Sequence, residues 1–265
     1  MRPELFHIGD FTLYSFGLMA ALALIVPGLI FVFPLLRRRG ASPDFAFELI
    51  FAGGIGGFVG ARLYYMAEHW STLSDDLWGS LTSGYGFTWY GGLIGGFVGV
   101  VLWCLIRRVP LGIVANTMGP AVALGYTIGR VGCQLAGDGD YGTPSDLPWA
   151  MGYPNGTVPT PPGAEVHPTP IYEILMMAPI IWVLWRLANK DRSGWWTFGW
   201  MLVLTGVERF LVEFVRRNEE VALGLTQPQW VAIVSVVIGA ALVLAFRKRP
   251  AERAGAVAER GLRSA

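Results

Sequence analysis

An arginine stands inside an apolar run at Arg130, in the stretch Gly129-Arg-Val-Gly-Cys-Gln-Leu-Ala-Gly-Asp-Gly-Asp-Tyr-Gly142, which ends in a glycine-rich acidic turn. A second apolar run closes with Arg209-Phe-Leu-Val-Glu213-Phe-Val-Arg216. Spacings of four and three put these three charges on one helical face, the carboxylate between two guanidinium groups. An ionisable side chain at membrane depth is costly unless it is paired or lines a cavity, so both stretches mark candidate sites. Guanidinium groups engage phosphate oxygens in pairs, and a cavity holding two or three of them suits a phospholipid head group. The same groups would stabilise phosphate as a leaving group, because charge grows on its oxygen in the transition state. The plainer reading of the second stretch is a helix-end ladder, with Arg216 and Arg217 snorkelling to the interface.

Other polar residues near the apolar runs are few. Arg62 lies in Gly60-Ala-Arg-Leu-Tyr-Tyr65, and Tyr90-Gly91-Gly92 opens a further run. Asp138, Asp140, Gly142 and His167 fall in a segment rich in Gly, Pro and Asp, which reads as a loop over the outer face. His167 is either a base or a loop histidine with a local hydrogen bond. Asp138-Gly-Asp140 lacks the remaining positions of a calcium loop. Cys133 and Cys104 sit in apolar context and read as small hydrophobes, not as a disulfide or metal motif.

The elements that must position these groups follow from composition. The chain has 265 residues, 53% of them hydrophobic and 15% charged. A soluble domain carries nearer a quarter charged residues, so a polytopic membrane protein is the expected class. Basic residues form short loop clusters instead of one face, which gives no nucleic-acid footprint. Apolar runs cover about 11–36, 45–66, 90–106, 111–135, 170–187, 195–215 and 228–246, each near the ~20 residues of a bilayer crossing. The first is too long for a signal peptide and has no small-residue cleavage site, so an uncleaved span is expected.

Arg37 to Arg39, Arg107-Arg108, Arg186/Lys190/Arg192 and Arg247-Lys248-Arg249 follow the odd-numbered runs. The opposite loops carry Asp75-Asp76, Asp138, Asp140, Asp146 and Glu165. The positive-inside rule then gives an all-α protein of seven transmembrane helices, N-terminus outside, C-terminus cytoplasmic, with a Pro/Gly-rich outer loop over 137–169. Residues 1–249 read as one transmembrane domain and 250–265 as a disordered tail. Ile55-Gly-Gly-Phe-Val-Gly60 recurs as Ile94-Gly-Gly-Phe-Val-Gly99; small residues four apart favour close helix packing over a duplicated unit.

These motifs, in their order, resemble the prolipoprotein diacylglyceryl transferases. Gly129-Arg-Val-Gly is similar to that family's Gly-Arg-hydrophobic-Gly signature, and Arg209, Glu213 and Arg216 to its second arginine helix. Tyr90-Gly-Gly resembles its His-Gly-Gly motif, His167-Pro-Thr-Pro-Ile-Tyr-Glu173 its His-Pro-Ser-Gln-Leu-Tyr-Glu segment, and Gly224-Leu-Thr-Gln227 its Leu-Ser-Met-Gly-Gln. The resemblance implies transfer of a diacylglyceryl group from phosphatidylglycerol to a lipobox cysteine thiol of a prolipoprotein, with glycerol phosphate leaving. It implies Arg130 and Arg209 at the phosphate, Tyr90 in the place of the catalytic histidine, and Arg62, Gly91, Gly92, Asp138, Gly142, His167, Glu213 and Arg216 lining the substrate. It implies an inner-membrane enzyme facing the outer leaflet, with the thiolate as nucleophile and no metal, nucleotide or other cofactor.

The chain departs from the pattern at Tyr90, at Cys133 (asparagine in the family), at Phe16-Gly17 (Tyr-Gly) and at Ala136-Gly-Asp138 (Asn-Gly-Glu), with Gly139-Asp140 lengthening the turn. A tyrosine titrates near ~10, so Asp138, Asp140 and His167 are alternative bases. Alternative functions are a paralogue with another acceptor, or a phospholipid-binding or transport protein without catalysis.

Overall fold

A computed structural model describes residues 1–9, 11–70 and 88–254. Asp75-Asp76 and residues 255–265 of the expected tail lie outside the described residues, as does the side chain of Tyr90. Each of the seven apolar runs contains a helix: α1 (Ser15–Arg38), α2 (Pro43–Glu68), α3 (Trp89–Ile106), α4 (Leu111–Ala136), α5 (Thr169–Ala188), α6 (Gly194–Val212) and α7 (Gln227–Phe246). Five of them, α1, α2, α4, α5 and α7, are long and apolar enough to cross a membrane. The chain is a helical, multi-pass membrane protein.

Two short hairpins add to the expected helices. β1 (Glu4–Ile8) pairs antiparallel with β2 (Phe11–Tyr14), so the first apolar run begins as a strand and becomes helical only at Ser15. β3 (Glu220–Ala222) pairs with β4 (Leu225–Thr226), the turn closed by Leu223 and Gly224, both at positive φ. Inside α1 the helix widens into a π turn over Gly28–Val32, directly after Pro27, which has no N–H to continue the ladder.

The chain divides into two compact units: Met1–Leu35 with Val114–Glu252, and Leu36–Ile113 with Arg253–Ala265. In the second unit α2 and α3 pack through their glycine-rich hexapeptides. A Cβ on Gly95 would fall 2.2 Å from the Gly56 carbonyl oxygen and 2.7 Å from the alpha carbon of Gly60. The closest approach uses Gly56 and Gly60 against Gly91, Gly95 and Gly99. Ser42 caps α2 by accepting from the Phe45 N–H, with Pro43 in the first turn.

In the first unit α5, α6 and α7 pack in sequence order, around a core that includes Ala123, Met177, Leu184 and Met201. Asn116 ties three segments together: its amide donates to the Ala188 carbonyl at 3.0 Å and accepts from Thr197 Oγ1 at 2.9 Å. Interhelical hydrogen bonds of this kind hold helices whose apolar surfaces gain little from leaving lipid. Glu252 accepts from Ser193 Oγ at 2.5 Å and from the Gly194 N–H at 2.8 Å, placing a carboxylate on the N-terminus of α6.

Residues 137–168 contain no helix, as expected, but they are well packed. Tyr141, Tyr153 and Val166 form a small core of their own. Tyr153 donates to Gln134 Oε1 at 2.8 Å, pinning the loop to the end of α4, and burial pushes its phenol up to about 12.

Candidate active site

The centre of the site is Glu173, in the second turn of α5 and wholly buried (0% exposed). Pro168 and Pro170 start this helix and the apolar sequence carries it inward, so the carboxylate must find cations. It finds three. Arg130 Nε on α4 lies 2.6 Å from Oε2; Arg209 Nη1 on α6 and Arg216 Nη1 lie 3.2 and 3.3 Å from Oε1.

Glu213 and Asp140 complete the set. Glu213 pairs with Arg209 Nη2 at 2.7 Å, and its other oxygen accepts from Asn218 Nδ2 at 2.6 Å and Thr226 Oγ1 at 2.8 Å. Asp140 gives one oxygen to Arg216 Nη2 at 2.5 Å and the other to Arg130 Nη1. Three guanidinium groups thus meet three carboxylates and the formal charges cancel.

As the four-and-three spacing predicts, Glu213 lies between Arg209 (2.7 Å) and Arg216 (3.9 Å), but the helix itself ends before Arg216. α6 stops at Val212, a 3-10 turn covers Glu213–Val215, and Arg216 has extended backbone (φ −85°, ψ 167°). Past that break Arg216 keeps a long contact with Glu213 (3.9 Å) and pairs more closely with Asp140 and Glu173. With its side chain 9% exposed, Arg216 is not a snorkelling cation. Burial works to lower its affinity for a proton, but the carboxylates of Asp140 and Glu173 overcome this and raise it.

The outer turn is fastened to that break. Thr143 donates its N–H to the Val215 carbonyl at 2.9 Å, and Gly142 donates to His167 O at 2.8 Å. A Cβ on Gly142 would lie 2.2 Å from Val215 O and 2.9 Å from His167 Cβ, so only glycine fits there. Asp140, its side chain 34% exposed, is the most accessible carboxylate of the set. Burial would raise its pKa; the guanidinium groups of Arg130 and Arg216 outweigh that and hold it below the ordinary carboxylate range. An acid held anionic by two arginines is a poor proton acceptor, which removes Asp140 from the candidate bases.

The remaining expected site residues fall around this set or elsewhere. Asp138 Oδ1 accepts from the Asp140 N–H at 3.3 Å. Cys133, Asp138 and Asp140 bring potential ligand atoms within 4.8 Å of one another. A cation there would face Arg130, whose Nη1 sits 3.8 Å from Cys133 Sγ, and would compete for a carboxylate already paired. His167 Nδ1 lies 3.1 Å from the Tyr172 hydroxyl, which itself accepts from Trp149 Nε1 at 2.8 Å. These contacts join Trp149, Tyr172 and His167 in one chain of polar groups.

Arg62, Tyr90, Gly91 and Gly92 belong to the second unit. Arg62 is buried, its guanidinium 5.7 Å from the Tyr65 ring centroid. Gly91 packs on Gly60 and Tyr64, Gly92 on Ala61 and Gly57.

Two cavities lie in the first unit, and the smaller is lined in part by Asp140 and Arg216 of the charged set. One of about 880 Å³ is apolar, lined by Trp149, Met151, Ile171, Leu175, Leu211 and Val215 among others, with His167 and Tyr172 in its wall. The other, about 300 Å³, is lined by Gly139, Asp140, Tyr141, Arg216, Arg217 and Asn218.

The family description "Prolipoprotein diacylglyceryl transferase" matches residues 3–245. The chain belongs to that family. It is 31% identical over 241 residues to the phosphatidylglycerol–prolipoprotein diacylglyceryl transferase of Clostridium tetani, covering 90% of this chain and 95% of that protein. It is 30% identical over 267 residues to the protein so named in Bordetella bronchiseptica (95% and 97% covered), and 32% identical over 267 to that of Chromohalobacter salexigens (95% of each). The chain is accordingly a transferase, and its family's work is diacylglyceryl transfer in lipoprotein maturation. The non-catalytic binding or transport reading gives way to this.

Sequence reasoning missed Glu173 as the hub. A signal was present: an acidic residue at the start of the apolar run Ile174-Leu-Met-Met177 needs a cation, and the apolar runs offer few besides Arg130 and Arg209.

Proposed function

We propose that this protein transfers the diacylglyceryl group of phosphatidylglycerol to the lipobox cysteine of a prolipoprotein and releases glycerol phosphate. The observation that carries this reading is the meeting of Arg130, Arg209 and Arg216 on Glu173, with Asp140 spanning the first and last. Asp140 presents two anionic oxygens to two guanidinium groups, the arrangement a phosphate would present, and it is the carboxylate nearest solvent. The lipid phosphate takes that position between Arg130 and Arg216, with Arg209 behind it. The carboxylates of Glu173 and Glu213 hold the arginines in place before substrate arrives, so little reorganisation is required in the transition state.

The thiolate of the acceptor attacks the glycerol carbon bearing the phosphate, the carbon–oxygen bond breaks, and its electron pair leaves with the phosphate. Tyr90, Asp138 and His167 are the groups to test as the base. His167 shares a hydrogen bond with the Tyr172 hydroxyl through Nδ1, which leaves Nε2 as the ring nitrogen not engaged in that contact. The apolar cavity beside it suits the hydrocarbon of a substrate. Arg62, Gly91, Gly92, Asp138 and Gly142 serve substrate binding in this reading.

The loop charges support seven spans with the N-terminus outside, the C-terminus cytoplasmic and the site towards the outer leaflet of the bacterial plasma membrane. Residues 1–249 act as the transferase domain, followed by a tail.

The test uses vesicles of phosphatidylglycerol, purified protein and a synthetic lipobox peptide. The peptide should gain the mass of a diacylglyceryl group while glycerol phosphate appears in equal amount. A peptide of unchanged mass with no glycerol phosphate would overturn the reading.

A further inference from the structure

The second cavity poses a question of charge. Before reaction the lipid phosphate is a diester with one negative charge. Once its carbon–oxygen bond breaks, the departing group is a monoester bearing about −1.5 to −2 at neutral pH. The thiol gives up its proton to a base, its sulfur forms the new bond to carbon, and the electron pair of the broken bond resides on the phosphate. With the phosphate in the place of Asp140, Arg130, Arg209 and Arg216 keep the carboxylates of Glu173 and Glu213 and so carry one net positive charge, less than the phosphomonoester needs.

Arg217 is placed differently. Among the described residues no carboxylate lies within ion-pair distance of it. Its guanidinium is nonetheless held: Nη2 donates to the Gly139 carbonyl at 2.9 Å, and the group lies 4.1 Å from the Tyr141 ring centroid. It lines the 300 Å³ cavity together with Asn218, and both are exposed at the protein surface. The volume is at the lower end of small-ligand sites, roughly 300–1,000 Å³. Asp140 and Arg216 belong to both this cavity and the inner set, so the two are contiguous. Asp140 also follows Gly139 at φ +93°, a backbone region that glycine adopts without strain.

We infer that the cavity at Arg217 and Asn218 receives the phosphomonoester leaving group on its way to water. This rests on the phosphate reading proposed above. Arg217 supplies the unmatched positive charge and Arg216 passes the anion outward.

Glycerol phosphate itself is the probe. Its dissociation constant is measured calorimetrically on the purified protein without lipid, and its inhibition constant in the transfer assay. Arg217→Gln should weaken both by at least about tenfold, with the KM for phosphatidylglycerol vesicles changing less than about threefold and the melting temperature unmoved. Arg217→Lys should stay near wild type in binding, because charge is retained. A Gln variant that binds glycerol phosphate as wild type does, or whose KM for the lipid rises in step, would overturn the inference; so would a wild type that binds no glycerol phosphate. If the Gln variant does not fold, Arg217→Met together with the lysine variant carries the same comparison. The binding measurement needs no turnover, so failure of the cavity is separable from failure of the proposed reaction, which shows instead as absent transfer.

Discussion

Arg216 Nη2 lies 2.5 Å from Asp140 Oδ1, joining residues 76 positions apart in sequence and closing the ring of charges that begins at Arg130. Because Asp140 bonds to both arginines, it sets their separation before any lipid is bound. The consequences are measurable.

Glu173→Gln should be the most damaging single change. It leaves three guanidinium groups with two carboxylates and turns an amide N–H₂ towards donors. Removing one partner of a buried ion set typically costs about 3–5 kcal/mol. A melting temperature in detergent within a few degrees of wild type would contradict this.

Arg130→Lys should lose nearly as much transfer activity as Arg130→Ala, although it keeps the charge. One guanidinium reaches Glu173 through Nε and Asp140 through Nη1, and also faces the Tyr126 ring at 4.8 Å. A lysine offers one point charge and no planar fork. The measurement is turnover on phosphatidylglycerol vesicles; a lysine variant within about threefold of wild type would refute it.

The pH dependence of Asp140 has a definite sign. Its folded pKa is depressed, so the stability it contributes is present above the unfolded value of ~3.9 and is lost as pH falls through the lower folded value. The difference in melting temperature between wild type and Asp140→Asn should therefore be constant from pH 8 to 5 and shrink below about pH 4. A difference that already shrinks between pH 7 and 6 would show that the carboxyl is not held down.

Gly95→Ala and Gly129→Ala should separate cleanly. The first puts a methyl 2.2 Å from the Gly56 carbonyl oxygen, whereas nothing lies within 4 Å of a Cβ on the second. Gly95→Ala should lower the yield of folded protein severalfold; Gly129→Ala should leave it unchanged. Fluorescence-detected size exclusion of the two variants reads this directly.

The helices are legible in the sequence because apolar runs and loop charges are collective signals, and the arginines are legible because apolar context makes each one costly. Glu173 is hidden because a carboxylate near the start of a helix reads as an ordinary surface acid until its burial is known. Asp140 reads as a base because sequence cannot show that two guanidinium groups, 10 residues before it and 76 after it, hold it as an anion. The 3-10 turn at Glu213–Val215 has no local breaker, and its carbonyl at Val215 is held from far along the chain by the N–H and hydroxyl of Thr143. The β1–β2 hairpin is hidden in an apolar sequence that a helix or a strand satisfies equally well.

Thr226 caps α7 through a reciprocal capping box with Gln229 and also donates to Glu213. One hydroxyl therefore serves the start of the last helix and the acid that steadies Arg209. Seen in the order of synthesis, the consequence is temporal: a nascent chain that has not yet delivered residue 226 holds its arginines with one acid still short of a donor. The helix α7 is thus the component whose arrival finishes the site, and a chain stalled before it would carry Arg130, Arg209 and Arg216 yet lack the completed arrangement.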